Sequence, residues 1–160
     1  MTGDRRAALW LYAAAALAYV ADRASKAWVE HSLAGRPPVR VIPGVLSLTY
    51  TTNSGGAFGL GRSAPWVFAA ATVVVSAVIV AVSFRPMRPW TAVALGLILG
   101  GALGNLTDRA LNGSGLTGNV TDFVDFQIWP VFNLADSAIV VGAIMLALSS
   151  FGHDEAREAA

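Results

Sequence analysis

The sequence contains no cysteine, which excludes disulfide scaffolds, thiolate metal sites and cysteine nucleophiles. Its two histidines, His31 and His153, leave little for a histidine-based metal centre. Charged side chains make up 13% of the residues, against roughly 25% in soluble domains. The formal net charge of +1 excludes a nucleic-acid binder that relies on a basic surface. Any chemistry must therefore use carboxylates, amides and hydroxyls.

What the chain has in excess is apolar sequence. Hydrophobic residues account for 55% of its 160 residues, and the mean hydropathy is +0.58. Four runs without charged residues cover 7–21, 63–84, 89–107 and 137–152. With its flanking residues, each run approaches the roughly 20 residues that a membrane-spanning helix needs. We therefore predict a single-domain, all-α integral membrane protein over residues 1–160, with four transmembrane helices at about 7–26, 64–84, 89–109 and 132–151.

A fifth charge-free run, 41–61, has a different character. It contains an alternating segment at 45–50 and a turn-like segment at 53–56, patterns typical of a strand and a loop. We expect residues 37–60 to form a small β-rich extracytoplasmic insert between the first two helices. Residues 110–131 are expected to form an extracytoplasmic loop between the last two.

The positions of the basic residues favour a topology with both termini in the cytoplasm. The short turn at 85–88 carries two arginines, and arginine and lysine concentrate in short cytoplasmic loops. An alternative for the first run is a cleavable signal peptide, because Arg5 and Arg6 precede it. The three spans predicted after it favour a retained helix.

Polar residues cluster at the ends of the predicted spans, where ionisable groups are costly and face a cavity or a partner. The clusters are Asp22 with Lys26, Asn53, Asn105 with Asp108 and Arg109, Asp122 with Asp125, and Asn133 with Asp136. With both termini inside, all five clusters lie at the extracytoplasmic face. This convergence indicates a site at that face.

Each cluster taken alone has an ordinary explanation. Asp22 and Lys26 could form a surface ion pair at helical spacing, and Asn133 with Asp136 could cap a helix. The remaining acids could be ordinary loop residues. Taken together, several carboxylates at one membrane face are more than a small membrane protein needs for solubility or capping.

Two neighbouring carboxylates cannot easily both ionise, so one keeps a proton while the other stays charged. Such a pair can activate a water and polarise a carbonyl without a metal, as in aspartic proteases. One alternative is a small transporter or proton channel, which would spread its acids along the depth of a pore. Another is a structural membrane subunit, in which single acids could be replaced without consequence.

Three glycines in the third predicted helix, Gly96, Gly100 and Gly104, are spaced four residues apart. Small residues at this spacing form a groove into which another helix packs closely. The same helix face continues towards Asn105 and Asp108. We therefore expect helix packing to position these two polar residues.

Five segments follow one another from residue 22 to residue 137: DRASK (22–26), TNSGGAFG (52–59), GGALGNLTDR (100–109), VTDF (120–123) and FNLADS (132–137). In composition and order they resemble the motifs of bacterial lipoprotein signal peptidase, also called signal peptidase II. This family consists of membrane aspartic proteases. The resemblance covers nearly the whole chain, and five motifs in order make it specific.

The resemblance implies the removal of signal peptides from diacylglyceryl-modified prolipoproteins, by cleavage before the lipidated cysteine. It places the enzyme in the bacterial cytoplasmic (inner) membrane, in contact with membrane lipid, with the active site near the extracytoplasmic face. No cofactor, metal or nucleic acid is implied, and we expect a monomer. Sensitivity to the cyclic peptide globomycin is a further implication of the resemblance.

The roles of individual residues are also carried over from the matched motifs. The catalytic pair is expected to be Asp122 and Asp136. The side chains expected to line the site and bind substrate are Asn53, Asn105, Arg109 and Asn133. Those expected to support the site structurally are Asp22, Lys26 and Asp108, the last with Arg109 as a candidate partner.

Two departures from the family pattern fall in the segment that leads to Asp122. The link at 110–119 is longer than usual and rich in glycine, and Thr121 replaces the usual second valine. Asp125 is a weaker rival for the catalytic position. The insert at 37–60 is expected to clamp over the substrate, with two glycines at 55–56 giving a lid its mobility.

Overall fold

The computed structural model describes residues 2–54 and 65–158, which form four helices and a small three-stranded sheet. In chain order the elements are α1 (Thr2–Leu33), β1 (Val39–Ile42), β2 (Leu46–Asn53), α2 (Pro65–Val82), α3 (Pro89–Leu111), β3 (Val120–Asp125) and α4 (Leu134–Glu158). The predicted four helices and mostly helical fold are confirmed. The three later helices begin within two residues of the predicted positions, and α4 extends further than predicted.

Helix α3 lies at the centre of the helical layer and packs against α1, α2 and α4. A Cβ atom on Gly96 or Gly100 would overlap the carbonyl oxygens of Leu11 and Ala15 in α1. On its other side, Gly101 approaches the backbone of α4 in the same way. Glycine is required at these positions because the helix backbones come so close. The predicted packing role of Gly96 and Gly100 is confirmed.

Helix α1 is longer than the predicted range of 7–26, because its last turns support the sheet. Val29 and Leu33 lie on one helix face and are buried against Phe123 of β3. The predicted range ends at Lys26. The helix continues beyond this residue because apolar residues resume on the face that contacts the sheet.

The sheet has the order β1–β2–β3, and both neighbouring pairs are antiparallel. A tight turn joins β1 to β2 at Gly44, whose φ of 74° suits glycine. The insert at 37–60 thus contains two strands up to Asn53, as its β-rich pattern predicts. Its remaining part, which includes the two glycines expected to hinge a lid, lies outside the described residues.

The prediction of a plain loop over 110–131 is wrong, because β3 forms within it and completes the sheet. The first four residues of β3 are all buried, so the strand shows no alternation of apolar and polar residues. A short strand buried on both faces gives no period-two signal in the sequence. The third strand therefore comes from outside the predicted β-rich insert.

Within the described part of the chain, α3 alone is both long and apolar enough to cross a membrane. The apolar helical segments Trp66–Val82 and Leu134–Ser149 are shorter. In α1 the apolar sequence is interrupted by Asp22, Arg23 and Lys26, which belong to the site described below.

The close contact of α1 with α3 predicts that Gly100→Ala destabilises the fold. The added methyl group must push the Ala15 backbone away, and overpacking of this kind costs about 1–3 kcal/mol. We expect a lower melting temperature in detergent, measured by intrinsic fluorescence. Ala13→Leu, which enlarges an exposed position of α1, is the matched control and should melt like the wild type. Equal melting temperatures for Gly100→Ala and the control would contradict the packing argument.

Candidate active site

Strand pairing brings Asn53 next to Asp122, although 69 positions separate them in the sequence. In the β2–β3 ladder, Thr51 lies opposite Asp122 and Asn53 lies opposite Val120. The Asn53 side-chain amide donates to Asp122 Oδ2 at 3.2 Å. The sheet therefore fixes one predicted catalytic residue and one predicted binding residue relative to each other.

The start of α4 holds the second pair of predicted site residues. The Asp136 backbone N–H donates to Asn133 Oδ1 at 2.9 Å, and the Asn133 backbone N–H donates to Asp136 Oδ2 at 3.3 Å. This reciprocal pair is a capping box, in which each side chain satisfies a backbone donor of the first turn. The capping explanation for these two residues is thus correct, but incomplete.

The Asn133 side chain also connects the cap to Asp122. It is fully buried, and its Nδ2 donates to Asp122 Oδ1 at 2.6 Å. One residue therefore contacts both predicted catalytic carboxylates, Asp122 through its side chain and Asp136 through its backbone N–H. This double contact fixes the position of β3 relative to the start of α4.

Asp122 and Asp136 line a common cavity of about 260 Å³. The predicted binding residues Asn53, Asn105 and Arg109 line it too. Its apolar wall is formed by Val120, Trp129, Pro130, Val131, Phe132 and Val140. Among residues 2–54 and 65–158, no three histidine or carboxylate side chains are grouped to hold a metal ion. The cavity thus presents two carboxylates and several amide or guanidinium donors beside an apolar surface.

Burial, together with the nearby charge of Asp136, raises the pKa of Asp122 to about 7. Hydrogen bonds from Asn133 and Asn53 act in the opposite direction but are weaker. A carboxyl group of this kind can hold a proton near neutral pH while its neighbour is ionised. The arrangement can therefore supply a general acid and a general base together.

Lys26 is fully buried and is surrounded by carboxylates. Its Nζ lies 2.9 Å from Asp22 Oδ2 and 2.8 Å from Asp108 Oδ2. The predicted pairing of Asp22 with Lys26 is confirmed, but the pair is buried rather than on the surface. Arg23 completes the cluster by pairing with Asp108.

The ion-pair partners of Asp108 are Lys26 and Arg23, and not the candidate partner Arg109. Consecutive residues on a helix point about 100° apart, so the two side chains lie on different faces of α3. The Arg109 guanidinium turns towards the cavity and donates to the carbonyl oxygens of Gly118 at 3.2 Å and Ser54 at 3.5 Å. Arg109 thus ties both loops at the cavity to α3.

The two departures from the family pattern are accommodated by local hydrogen bonds. The buried Thr121 hydroxyl donates to Glu30 at 2.8 Å, and its backbone N–H donates to Asp108 Oδ2 at 3.2 Å. Within the long link, the Asn112 side chain donates to the Asn119 carbonyl at 3.0 Å. The link therefore closes on itself, and Thr121 anchors the strand that carries Asp122.

The rival acid, Asp125, has a different role. Its side chain accepts a hydrogen bond from the Gln127 backbone N–H at 2.7 Å, which stabilises the turn after β3. Asp125 does not line the cavity that holds Asp122 and Asp136. Of the two neighbouring acids, Asp122 is the one that lines the cavity.

Sequence reasoning missed the aromatic wall of the cavity. Trp129 and Phe132 line it, and both also border an adjoining cavity of about 370 Å³ that extends along Val140 and Val141 of α4. The sequence does contain one feature that could have indicated this wall. Trp129 precedes Pro130 just before a predicted span, and tryptophan is enriched at membrane interfaces.

Comparison with known proteins agrees with this geometry. A family model described as signal peptidase (SPase) II matches residues 14–152. The lipoprotein signal peptidase of Pelotomaculum thermopropionicum is 43% identical over 141 residues, which cover 87% of this chain and 90% of that protein. That of Syntrophomonas wolfei is 47% identical over 131 residues, which cover 81% and 85%.

The fold is similar to that of a bacterial membrane enzyme solved by the in meso method at 2.3 Å resolution. The TM-score is 0.75 and the sequence identity 27%, with 89% of this chain and 87% of that one covered. The range matched by the family model contains all five motifs found in the sequence. This chain belongs to the signal peptidase II family and is a protease.

Proposed function

We propose that this chain is an aspartic endopeptidase that removes the signal peptide from diacylglyceryl-modified prolipoproteins by cutting before the lipidated cysteine. Membership of the signal peptidase II family supports the removal of signal peptides from prolipoproteins. The aspartic mechanism is supported by one observation above the others. Asp122 and Asp136 face the same cavity and are both hydrogen-bonded to Asn133.

All four helices are proposed to span the bacterial membrane, with both termini in the cytoplasm and the cavity near the extracytoplasmic face. Large apolar side chains are exposed on the outer surfaces of the helices, including Leu17 of α1, Val74 of α2 and Ile144 of α4. Such surfaces are stable when they contact lipid rather than water. The ion cluster, the sheet and the cavity lie together at one end of this apolar layer.

The proposed reaction is the addition of water across the scissile peptide bond. An ionised carboxylate of the pair takes a proton from a water held between Asp122 and Asp136, and the resulting hydroxide attacks the carbonyl carbon. The protonated carboxyl group transfers its proton to the carbonyl oxygen, so a tetrahedral gem-diol forms. The carboxyl group that took the proton from water then transfers it to the nitrogen, while the other carboxylate takes back a gem-diol proton. The C–N bond breaks, and an amine and a carboxylic acid are released.

The substrate is proposed to enter sideways from the bilayer, with its acyl chains remaining in lipid. The adjoining cavity supports this route, because it is lined by Phe132, Val140 and Val141 and leads to Asp136. Asn53, Asn105 and Arg109 provide polar groups for the peptide backbone. The sheet that carries Asn53 would cover the bound peptide.

The proposal predicts that Asp122→Asn and Asp136→Asn each abolish cleavage, because an amide can neither accept the proton of the water nor return one. We expect the rate to fall by more than about a hundredfold, since general acid–base groups typically contribute 10²–10⁴. The assay is a gel-shift measurement of the cleavage of a diacylglyceryl-modified prolipoprotein by the full-length protein in detergent.

Asp125→Asn is the matched control, because it removes a neighbouring charge and an asparagine can still accept the hydrogen bond of Gln127. This variant should cleave at close to the wild-type rate. Near-normal cleavage by either dyad variant would show that the pair is not catalytic. Loss of cleavage in Asp125→Asn with retention in Asp122→Asn would assign the role to the rival acid.

The raised pKa of Asp122 also predicts a pH-dependent stability. Between pH 4 and pH 7 the folded protein keeps a proton that an unfolded chain has already released, so rising pH destabilises the fold. The effect is of the order of 4 kcal/mol, because each unit of pKa corresponds to about 1.4 kcal/mol. Asp122→Asn removes this effect, so its melting temperature should rise relative to the wild type between pH 5 and pH 8.

The melting temperatures are measured in detergent across this pH range, with Asp125→Asn as the control that should follow the wild type. A constant difference between Asp122→Asn and the wild type at all pH values would show that Asp122 ionises normally in the folded protein.

A further inference from the structure

A single side-chain amide connects the buried ammonium group of Lys26 to Asp136. Lys26 Nζ donates to Asn105 Oδ1 at 2.9 Å, and Asn105 Nδ2 donates to Asp136 Oδ1 at 2.8 Å. Lys26 lies in α1, Asn105 in α3 and Asp136 in α4. The connection therefore crosses three helices and ends on one of the two proposed catalytic carboxylates.

The partners of Asn105 allow only one orientation of its amide. An ammonium group has donors and no acceptor, so the Asn105 oxygen must face Lys26. The side chain of Asn133 also donates to this oxygen, at 3.2 Å. A reversed amide would place its NH₂ group against two donors and its oxygen against a carboxylate. The Asn105 NH₂ group is therefore always directed at Asp136.

Lys26 also attracts the Asp122 carboxylate electrostatically, but within the described residues no amide hydrogen-bonded to Lys26 donates to Asp122 as Asn105 does to Asp136. The Asp122 carboxylate accepts from the neutral side chains of Asn133 and Asn53. The Asp136 carboxylate accepts from an amide that is itself hydrogen-bonded to a cation, and such linked bonds strengthen one another. It also lies in the first turn of α4, where the helix dipole favours a negative charge.

We propose that Lys26 is a positioning residue that sets the roles within the dyad: through Asn105 it holds Asp136 as the ionised base and leaves Asp122 as the proton-bearing acid. This inference rests on the proposed function, since it assigns the two roles of that mechanism. Asp136 takes the proton from water, and Asp122 hydrogen-bonds the carbonyl oxygen. The pKa of Asp122, raised by burial, agrees with this division.

The other charges around Asp136 do not favour its ionisation over that of Asp122. Asp22 and Asp108 balance the charges of Lys26 and Arg23, so the ion cluster has no net charge. Arg109 attracts both carboxylates of the dyad, Asp122 more strongly than Asp136, so it does not favour an ionised Asp136. The two dyad acids repel each other equally. The hydrogen-bonded connection through Asn105 is thus the interaction that favours ionisation of Asp136 over Asp122.

The test is the pH profile of cleavage by the double variant Asp22→Asn/Lys26→Met. Both charges are removed together because a single Lys26 substitution would leave the Asp22 carboxylate without its cation. An asparagine at position 22 can still accept the hydrogen bond from the Ala135 backbone N–H. We expect the acidic limb of the profile to move up by about one pH unit, because the ionised base has lost its indirect cation. Cleavage then falls about tenfold at acidic pH and recovers towards neutral pH, where Asp122 still carries its proton.

A second variant and a control separate this effect from simple destabilisation. Asn105→Ala removes the connection but leaves the ion cluster intact, so it should move the acidic limb in the same direction even if the double variant unfolds. Arg23→Gln removes a cation of the same cluster that does not contact Asn105. Its acidic limb should coincide with that of the wild type.

The inference is overturned if the double variant and Asn105→Ala lower the rate equally at all pH values. An equal displacement of the acidic limb in Arg23→Gln also overturns it, because the effect would then come from the cluster as a whole. Either result leaves the proposed function intact as long as Asp122→Asn and Asp136→Asn remain inactive. Activity in a dyad variant overturns the inference and the proposed function together.

Discussion

The buried ammonium group of Lys26 is the point on which the rest of the structure depends. It contacts Asp22 in its own helix and Asp108 and Asn105 in α3. Asp22 in turn accepts from the Ala135 backbone N–H at the start of α4, at 3.0 Å. Three helices therefore meet at one set of charges. Removal of Lys26 alone would leave the buried Asp22 without its cation, and breaking a buried ion pair in this way typically costs about 3–5 kcal/mol.

The sheet depends on the same region through α1. Beyond the ion cluster, α1 continues to Leu33 and supports β2 and β3 with apolar residues. Asp108 also accepts from the backbone of Thr121, so the cluster holds the strand that carries Asp122. The positions of Asp122 and Asp136 are thus fixed by one continuous set of contacts. The helices supply Asp136 and its neighbours, and the sheet supplies Asp122 and Asn53.

The sequence allowed an element or a contact to be predicted wherever a physical requirement produces a recognisable pattern of residues along the chain. Charge-free runs located α2, α3 and α4, and glycines four residues apart located the contact of α3 with α1. Polar residues at span ends predicted which side chains the structure brings together. The strand β3 could not be predicted, because it is short, buried and paired with a strand about 70 residues away. The partners of Asp108 were also inaccessible, since they depend on how helices rotate against one another.

Asn133 has two functions at once, and this limits the residues that can replace it. As the cap of α4 it satisfies a backbone donor of the first turn, a role that serine or aspartate fulfils equally well. Its NH₂ group, however, donates to Asp122, and neither serine nor aspartate carries such a group in that place. Substitutions that are interchangeable at an ordinary helix start are therefore not interchangeable here. A position that looks tolerant by helix rules is constrained to a single amino acid by the carboxylate it faces.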